Sequence, residues 1–275
     1  MQQGTHPQPV PGFAPAFVEA LLDALLADGA RCHGIAGLQG SGKSTLAAQL
    51  ATLAARRGRH LVVLSIDDFY LDRADRERLA REAHPLLVTR GPPGTHDVAL
   101  ACATLDALVA GDCVPLPRFD KIDDRRLPPA QWPGSGRADL VLLEGWCLCV
   151  PPQPPEALAA PVNELERDED ADGTWRRYCN AALSSDYPPL WRRIDRLLFL
   201  QPPTFEVVPD WRWQQERTLQ AANPGRPAMD RAQVERFVRH YERVSRQALE
   251  TLPDIADRVV RLDEDRTPCA LGPAS

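Results

Sequence analysis

Residues 37–44 match the pattern G-x-x-x-x-G-K-S/T, which few local structures can satisfy. Glycines let the backbone curl until several N–H groups point inward, where they can bind phosphate oxygens. A helix that begins near the lysine adds the positive end of its dipole to the same anion site. The pattern therefore predicts a strand, a phosphate-binding loop and a helix, in that order.

The side chains of this loop predict that the chain binds ATP and Mg²⁺. Lys43 is long enough to reach the β- and γ-phosphates, and the Ser44 hydroxyl is a ligand of the kind Mg²⁺ uses. A plain glycine-rich turn before a helix would need neither group. The predicted nucleotide-binding residues are Gly37, Leu38, Gln39, Gly40, Ser41, Gly42, Lys43, Ser44 and Thr45.

Short apolar runs alternate with helical patterns along the rest of the chain. We predict strands at 33–36, 60–66, 139–143, 196–200 and 258–262. We predict helices at 16–27, 44–56, 98–110, 205–220 and 231–250. Strands that alternate with helices favour an α/β fold, with a mostly parallel five-stranded sheet covered by helices on both faces.

The predicted organisation is a single domain, 15–275, after a flexible N-terminal arm, 1–14. Two stretches interrupt the alternation of strands and helices. Residues 115–136 are polar, basic and contain prolines, and residues 151–190 begin with Pro-Pro-Gln-Pro-Pro and include an acidic run. Both are too long for simple connections, so we predict that they are acceptor and lid insertions over the site.

Composition limits the classes of partner. A net charge of −6 disfavours nucleic acid and acidic membranes as partners. No apolar run approaches the roughly 18 residues that cross a bilayer. The seven scattered cysteines are typical of reduced thiols in the cytosol. We therefore expect a soluble, cytoplasmic protein that acts on a small molecule, and the sequence leaves its oligomeric state open.

Acidic residues follow two of the predicted strands. Asp67 and Asp68 end the run at 60–66, and Glu144 ends the run at 139–143. Ligands of open α/β sheets bind beyond the carboxyl ends of the strands. We predict that Ser44, Glu144 and Asp67 form the metal site and that Asp67 accepts a proton from an attacking hydroxyl. The choice of Asp67 over Asp68 stays open.

Several further motifs occur in a fixed order with the phosphate loop, at 65–71, 90–97, 116–121, 144–146, 172–176 and 211–216. Together they resemble the phosphoribulokinase/uridine kinase superfamily of P-loop kinases, and within it the plant-type D-glycerate 3-kinases and their bacterial and fungal relatives. The resemblance implies a P-loop kinase fold. It also implies that Lys43 and Asp67 are catalytic, and that Arg212 belongs to a lid that acts on the transferred phosphoryl group.

The resemblance also implies which segments face the acceptor. The predicted substrate-binding residues are Arg90, His96, Asp97, Arg118 and Lys121. Basic residues gathered in an acidic chain favour an anionic acceptor, because arginine pairs well with carboxylate or phosphate. The segment 122–126 departs from the family, since it is short and has no glycine.

D-Glycerate is the leading predicted acceptor, giving phosphoglycerate and ADP. A nucleoside, a pantothenate-like compound or a sugar phosphate is an alternative acceptor. Few aromatic residues lie in the acceptor segments beyond Phe69, Tyr70 and Phe119, which disfavours a nucleoside. A different class of function is an ATPase switch or assembly factor. Such a protein would need no acid that deprotonates an acceptor.

Overall fold

The computed structural model describes residues 12–222, 225 and 228–273. Its strands are β1 Cys32–Gly37, β2 Leu61–Ser65, β3 Phe119–Asp120, β4 Arg125–Arg126, β5 Leu140–Gly145, β6 Arg196–Gln201, β7 Arg258–Leu262 and β8 Pro268–Pro273. Its helices are α1 Pro15–Ala27, α2 Lys43–Arg56, α3 Arg73–Glu82, α4 Val98–Ala110, α5 Glu164–Glu169, α6 Thr174–Ser185, α7 Pro188–Trp191, α8 Val208–Ala222, α9 Arg231–Arg239 and α10 Glu242–Ile255.

The main sheet has the strand order β2-β5-β1-β6-β7-β8 among the described residues. The first five of these strands are parallel, as predicted. The sixth, β8, runs antiparallel beside β7 and was not predicted. The sequence of β8 has two prolines and a glycine, which are turn signals rather than strand signals. Tertiary pairing along β7 therefore decides its structure.

Helices cover both faces of this sheet. Along β5, Leu140 and Leu142 pack on the side of α1 and α2, whereas Val141 and Leu143 pack on the other side, with α4 and α10. Successive side chains of a strand point to opposite faces, so a run of apolar residues fills two cores at once. The α/β fold predicted from the sequence is confirmed.

The helix predicted at 231–250 is two helices, α9 and α10. They meet at His240 and Tyr241, whose backbone N–H groups donate to Phe237 (3.2 Å) and Val238 (3.0 Å), three residues earlier. The Tyr241 hydroxyl also donates to the carbonyl of Arg90, at 2.8 Å. This contact between distant segments accompanies the break, which an apolar helical period cannot reveal.

The two predicted insertions differ in what they contribute. Residues 115–136 carry the small β3–β4 hairpin, and residues 151–190 carry α5, α6 and α7. Buried ion pairs hold the second stretch in place, between Arg176 and Asp170 (3.1 Å) and between Arg243 and Glu166 (2.6 Å). Within the part of the chain described here, no helix is both long and apolar enough to cross a membrane.

The predicted arm lies outside the described residues except for 12–14. Phe13 is buried, and its backbone N–H donates to Gln49 Oε1 at 2.9 Å. The Phe13 ring also stacks on Phe17, with 5.5 Å between the centroids. The end of the predicted arm is therefore attached to α1 and α2.

Candidate active site

A cleft of about 460 Å³ opens at the carboxyl edge of the sheet, within the usual size range of small-molecule sites. The register aligns Glu144 at the end of β5 with Ser65 of β2 and Ile35 of β1, so the carboxyl ends of the three strands meet there. The loop after β1, the turn after β2, the β3–β4 hairpin, α8 and α9 contribute to its lining. This is the edge at which parallel sheets bind ligands.

The loop between β1 and α2 has the conformation expected of a phosphate site. Gly40 and Gly42 have φ angles of 79° and 90°, in the left-handed region that glycine tolerates. Lys43 Nζ donates to the carbonyl of Leu38, at 2.9 Å. Burial lowers the pKa of Lys43, while the carboxylates of Glu144 and Asp67 act in the opposite direction. A buried ammonium group in a glycine-rich loop can exchange this carbonyl for phosphate oxygens.

The nine residues predicted to bind nucleotide fall into two groups. Six line the cleft, namely Gln39, Gly40, Gly42, Lys43, Ser44 and Thr45. Gly37 ends β1, and Leu38 and Ser41 are buried within the loop. These three lie behind the cleft surface, where they contribute backbone rather than side chains.

Of the three residues predicted to hold a metal, Ser44 and Glu144 are in direct contact, and Asp67 lines the same cleft. Ser44 Oγ donates to Glu144 Oε1 at 2.8 Å, and both residues line the cleft beside Lys43. No cluster of three or more His, Cys, Asp or Glu that could hold a metal ion occurs among the residues described. Mg²⁺ bound with a nucleotide needs few protein ligands, because phosphates and water fill its other positions. The Ser44–Glu144 pair fits such an ion.

Asp67 is the acid of the β2 turn that lines the cleft. Its carboxylate Oδ2 lies 2.5 Å from Lys121 Nζ. Burial by itself raises the pKa of Asp67. The charge and hydrogen bond of Lys121 and a hydrogen bond from Tyr70 outweigh burial, so the pKa falls from 3.8 to about 2. Asp67 is therefore ionised at neutral pH.

Asp68, the alternative that the sequence left open, lies outside the cleft lining. Its carboxylate accepts from Arg118 at 3.2 Å and from the backbone N–H of Phe119 at 3.3 Å. Burial raises the pKa of Asp68, while Arg118 opposes that effect. Asp68 attaches the β3–β4 hairpin to the β2 turn, and the geometry favours Asp67 as the group that meets a ligand.

Two predicted acceptor residues line the cleft, Arg90 and Lys121. Arg90 donates to Asp124 Oδ1 at 2.5 Å and to the carbonyl of Lys121 at 3.0 Å. The other Asp124 oxygen pairs with the buried Arg76 at 2.7 Å. Asp124 thus holds both arginines, and the hairpin presents Lys121 to Asp67.

Arg212 lies on α8 and also lines the cleft. It pairs with Glu216 Oε2 at 3.0 Å, one helical turn along, and its guanidinium lies 5.7 Å from the centre of the Phe237 ring. Its ion pair matches the i, i+4 spacing of a helix. Its position adds a further cation to the cleft, beside Lys43, Arg90 and Lys121. A lid role for Arg212 stays a prediction, and its place in the cleft is compatible with that role.

The other three predicted acceptor residues lie outside the cleft lining. His96 is buried with Nδ1 2.5 Å from the Tyr187 hydroxyl, and burial lowers its pKa from 6.5 to about 4. Asp97 caps α4 by accepting from the N–H of Leu100 at 3.0 Å. Arg118 pairs with Asp68, as described above. These contacts are structural, and substrate binding by the three residues stays a prediction.

Aromatic side chains are more frequent in the cleft than the sequence led us to expect. Tyr70, Trp146, Phe237 and Tyr241 line the cleft together with Trp211. Trp146 and Tyr241 meet edge to face, with 4.9 Å between ring centroids. The motifs at 144–146 and 211–216 carried a signal for Trp146 and Trp211. Arg266, which also lines the cleft, had none.

No family model matches this chain. The Schizosaccharomyces pombe protein named Uncharacterized kinase mug58 is 35% identical over 218 residues, which cover 76% of this chain and 77% of that protein. The chloroplastic D-glycerate 3-kinase of Arabidopsis thaliana is 28% identical over 256 residues. That alignment covers 86% of this chain but only 53% of the plant protein, so the chain spans about half its length.

Solved structures show the same fold. The D-glycerate 3-kinase of Cryptococcus neoformans var. grubii superposes with a TM-score of 0.77 at 25% identity. The match covers 94% of this chain and 100% of the fungal chain. The likeness therefore extends over the whole domain rather than over the phosphate loop alone.

Proposed function

Because the chain belongs to the phosphoribulokinase/uridine kinase superfamily of P-loop kinases and is a phosphotransferase, we propose that it transfers the γ-phosphoryl group of ATP to a hydroxyl of D-glycerate. The products are phosphoglycerate and ADP. Two relatives carry the name D-glycerate 3-kinase, which supports this acceptor. The observation that carries the proposal is the approach of Arg90, Lys121 and Arg212 to one cleft with Asp67 and the phosphate loop.

The phosphate loop binds the triphosphate through its backbone N–H groups and Lys43. Ser44 and Glu144 are the residues that would hold Mg²⁺, since their oxygens already lie 2.8 Å apart in the cleft. When bound, Mg²⁺ neutralises charge on the phosphate oxygens during transfer. Lys43 and Arg212 supply further positive charge to the same oxygens.

Asp67 orients the acceptor hydroxyl and takes its proton. As the hydroxyl oxygen forms its bond to the γ-phosphorus, the bond to the β-phosphate oxygen breaks and ADP leaves with that electron pair. A carboxylate with a pKa of about 2 is a weak base. Phosphoryl transfer passes through a loose transition state in which the proton leaves late, so positioning matters more than base strength.

An acceptor carboxylate fits the charges of this site. Arg90 offers a planar fork that pairs with carboxylate, and it donates to Asp124 and to the carbonyl of Lys121. A glycerate carboxylate that binds Lys121 also frees Asp67 from its ion pair. Binding of the acceptor is then coupled to the release of Asp67, the base.

A nucleoside is the second candidate, and one observation favours it. The aromatic rings that line the cleft offer faces on which a base could stack. A neutral nucleoside, however, has no carboxylate or phosphate that Arg90, Lys121 and Arg212 could bind. We therefore keep D-glycerate as the proposed acceptor. We also propose that the enzyme works in the cytoplasm, supported by its seven free cysteines.

A coupled ADP-release assay with MgATP tests the proposal. The acceptors are D-glycerate, L-glycerate, uridine, pantothenate and ribulose 5-phosphate, with a sample that has no acceptor and Lys43→Ala as the blank. Release that depends on D-glycerate and is lost in the blank is expected. Stimulation by uridine alone would replace the acceptor, and steady release that no acceptor alters would indicate an ATPase.

A further inference from the structure

Arg266 lies in the turn between β7 and β8, far in sequence from every motif of the site. Its φ angle of 66° lies in the left-handed region, which is unfavourable for a residue with a side chain. The residue is only 8% exposed, yet it lines the cleft. A strained backbone and a buried charge together indicate that the surrounding structure holds Arg266 in place and that the residue has a functional role.

The guanidinium of Arg266 is bound to the phosphate loop and to α8. Its Nε donates to the carbonyl of Gly40 at 2.6 Å, and a terminal nitrogen donates to Gln214 Oε1 at 2.7 Å. The group also lies 4.8 Å from the centre of the Trp211 ring. Trp211 in turn donates from its indole nitrogen to the carbonyl of Glu264, at 2.7 Å. The β7–β8 turn, the phosphate loop and α8 are thus joined through Arg266 and Trp211.

The charge of Arg266 has no strong counter-ion in the part of the chain described here. Its hydrogen-bond partners there are carbonyl and amide oxygens, and it forms no ion pair within 4.0 Å. Burial lowers the pKa of Arg266, and Asp265 alone opposes that effect. A buried cation without a carboxylate is costly unless a ligand supplies the anion. The cleft that Arg266 faces is the one that we propose for ATP.

The contact with Gly40 also has a geometric effect. In a trans peptide the C=O and N–H groups point in opposite directions. Arg266 binds the Gly40 carbonyl, and the N–H of Ser41, on the other side of the same peptide, donates to the Leu38 carbonyl at 3.2 Å. A donor with full charge also polarises the peptide, which strengthens the N–H on its other side.

We propose that Arg266 is a positioning residue of the nucleotide site, which orients the Gly40–Ser41 peptide toward the phosphates and adds positive charge that the triphosphate balances. The β7–β8 turn is then a required part of the phosphate site. This inference rests on the proposed binding of ATP, but it does not depend on which acceptor the enzyme uses.

Binding of ATP, ADP and AMP, measured by calorimetry without acceptor, tests the inference. In Arg266→Met we expect ATP to bind about 10- to 100-fold more weakly, the effect of losing a charged hydrogen bond at a desolvated site. The loss should shrink from ATP to ADP to AMP, because phosphate charge decreases in that order. Arg261→Met, on the exposed side of β7, is the matched control and should leave all three affinities unchanged.

Equal losses for ATP, ADP and AMP would overturn the inference, since they would indicate a general structural defect. Unchanged ATP binding would overturn it as well. Should Arg266→Met not fold, as judged by its melting curve, Arg266→Lys replaces it. Arg266→Lys keeps the positive charge. It should still bind ATP more tightly than AMP, but by a smaller factor than the wild type does. A wild-type enzyme that binds ATP but phosphorylates no glycerate would refute the acceptor and leave this inference intact.

Discussion

Lys121 Nζ lies 2.5 Å from Asp67 Oδ2, so a cation of the β3–β4 hairpin neutralises the acid placed to act on the acceptor. The two residues are 54 positions apart in the chain. The charge of Asp67 in turn raises the pKa of Lys121, against the effect of burial. An acceptor that competes for Lys121 therefore alters the base at the same time. The first three predictions follow from this pair.

Replacing Asp67 by Asn should remove the base and leave its size unchanged. We expect kcat to fall about 10²- to 10⁴-fold, the usual contribution of a positioned acid or base. ATP affinity should stay close to that of the wild type, because Asp67 pairs with Lys121 of the hairpin and we propose that it meets the acceptor. The measurement is kcat beside the calorimetric Kd for ATP. Asp68→Asn is the control, and an equal loss of kcat there would contradict the assignment.

Replacing Lys121 by Met should raise the pKa of Asp67, because Lys121 is the main group that lowers it to about 2. Asp67 would then become protonated, and the enzyme inactive, at a less acidic pH than in the wild type. We expect the acidic limb of kcat/KM against pH to move upward, together with a higher KM for the acceptor. An acidic limb that does not move would show that Lys121 has no effect on the base.

The same ion pair implies a dependence of stability on pH. The pKa of Asp67 is depressed in the folded state, so its contribution is complete above the unfolded pKa of about 3.8. It is lost as the pH falls toward the folded pKa of about 2. Chemical unfolding of wild type and Lys121→Met should therefore differ more at pH 6 than at pH 2.5. A constant difference would contradict the linkage.

Replacing Ser44 by Ala should weaken the binding of Mg²⁺. The Ser44 hydroxyl donates to Glu144 at 2.8 Å, and we propose that its oxygen is a ligand of the ion. We expect about tenfold more Mg²⁺ for half-maximal activity, in line with the loss of one ligand of a metal site. Thr52→Ala, on the exposed side of α2, serves as the control. If both variants needed the same Mg²⁺ concentration as the wild type for half-maximal activity, Ser44 would not be a ligand of the metal.

Replacing Tyr241 by Phe should loosen the acceptor side without affecting the nucleotide. The change removes the 2.8 Å hydrogen bond from the Tyr241 hydroxyl to the Arg90 carbonyl. A net hydrogen bond is worth about 1 kcal/mol, so we expect the acceptor KM to rise severalfold and the ATP KM to stay unchanged. Steady-state kinetics with each substrate varied in turn separate the two. Equal increases in both KM values would indicate a wider structural effect.

The parts of the site that sequence could predict are those with a local signal. The phosphate loop is one continuous motif. Asp67 follows one buried strand and Glu144 lies near the end of another, so topology brings them to one edge. The choice between Asp67 and Asp68 needed the structure, because it depends on Arg118, 50 residues away.

Other contacts of the site have no signal in the sequence because their partners are distant. His96 is paired with Tyr187, 91 residues away, and this buried contact looks the same in sequence as a substrate contact. Arg266 reaches Gly40 across 226 residues, through a strand whose prolines and glycine are typical of turns. No spacing rule connects such pairs, so only the folded structure reveals them.

The strand order β2-β5-β1 sets a length scale for the reaction. Neighbouring strands lie about 4.8 Å apart, so β2 and β1 are separated by about 9.6 Å. Asp67 follows the first of these strands, Glu144 ends the middle one, and the phosphate loop follows the third. The backbone hydrogen bonds between these strands therefore fix the spacing of the groups at their carboxyl ends. Loops at the acceptor side can change in sequence without altering that distance, so new acceptors could be selected there on an unchanged catalytic frame.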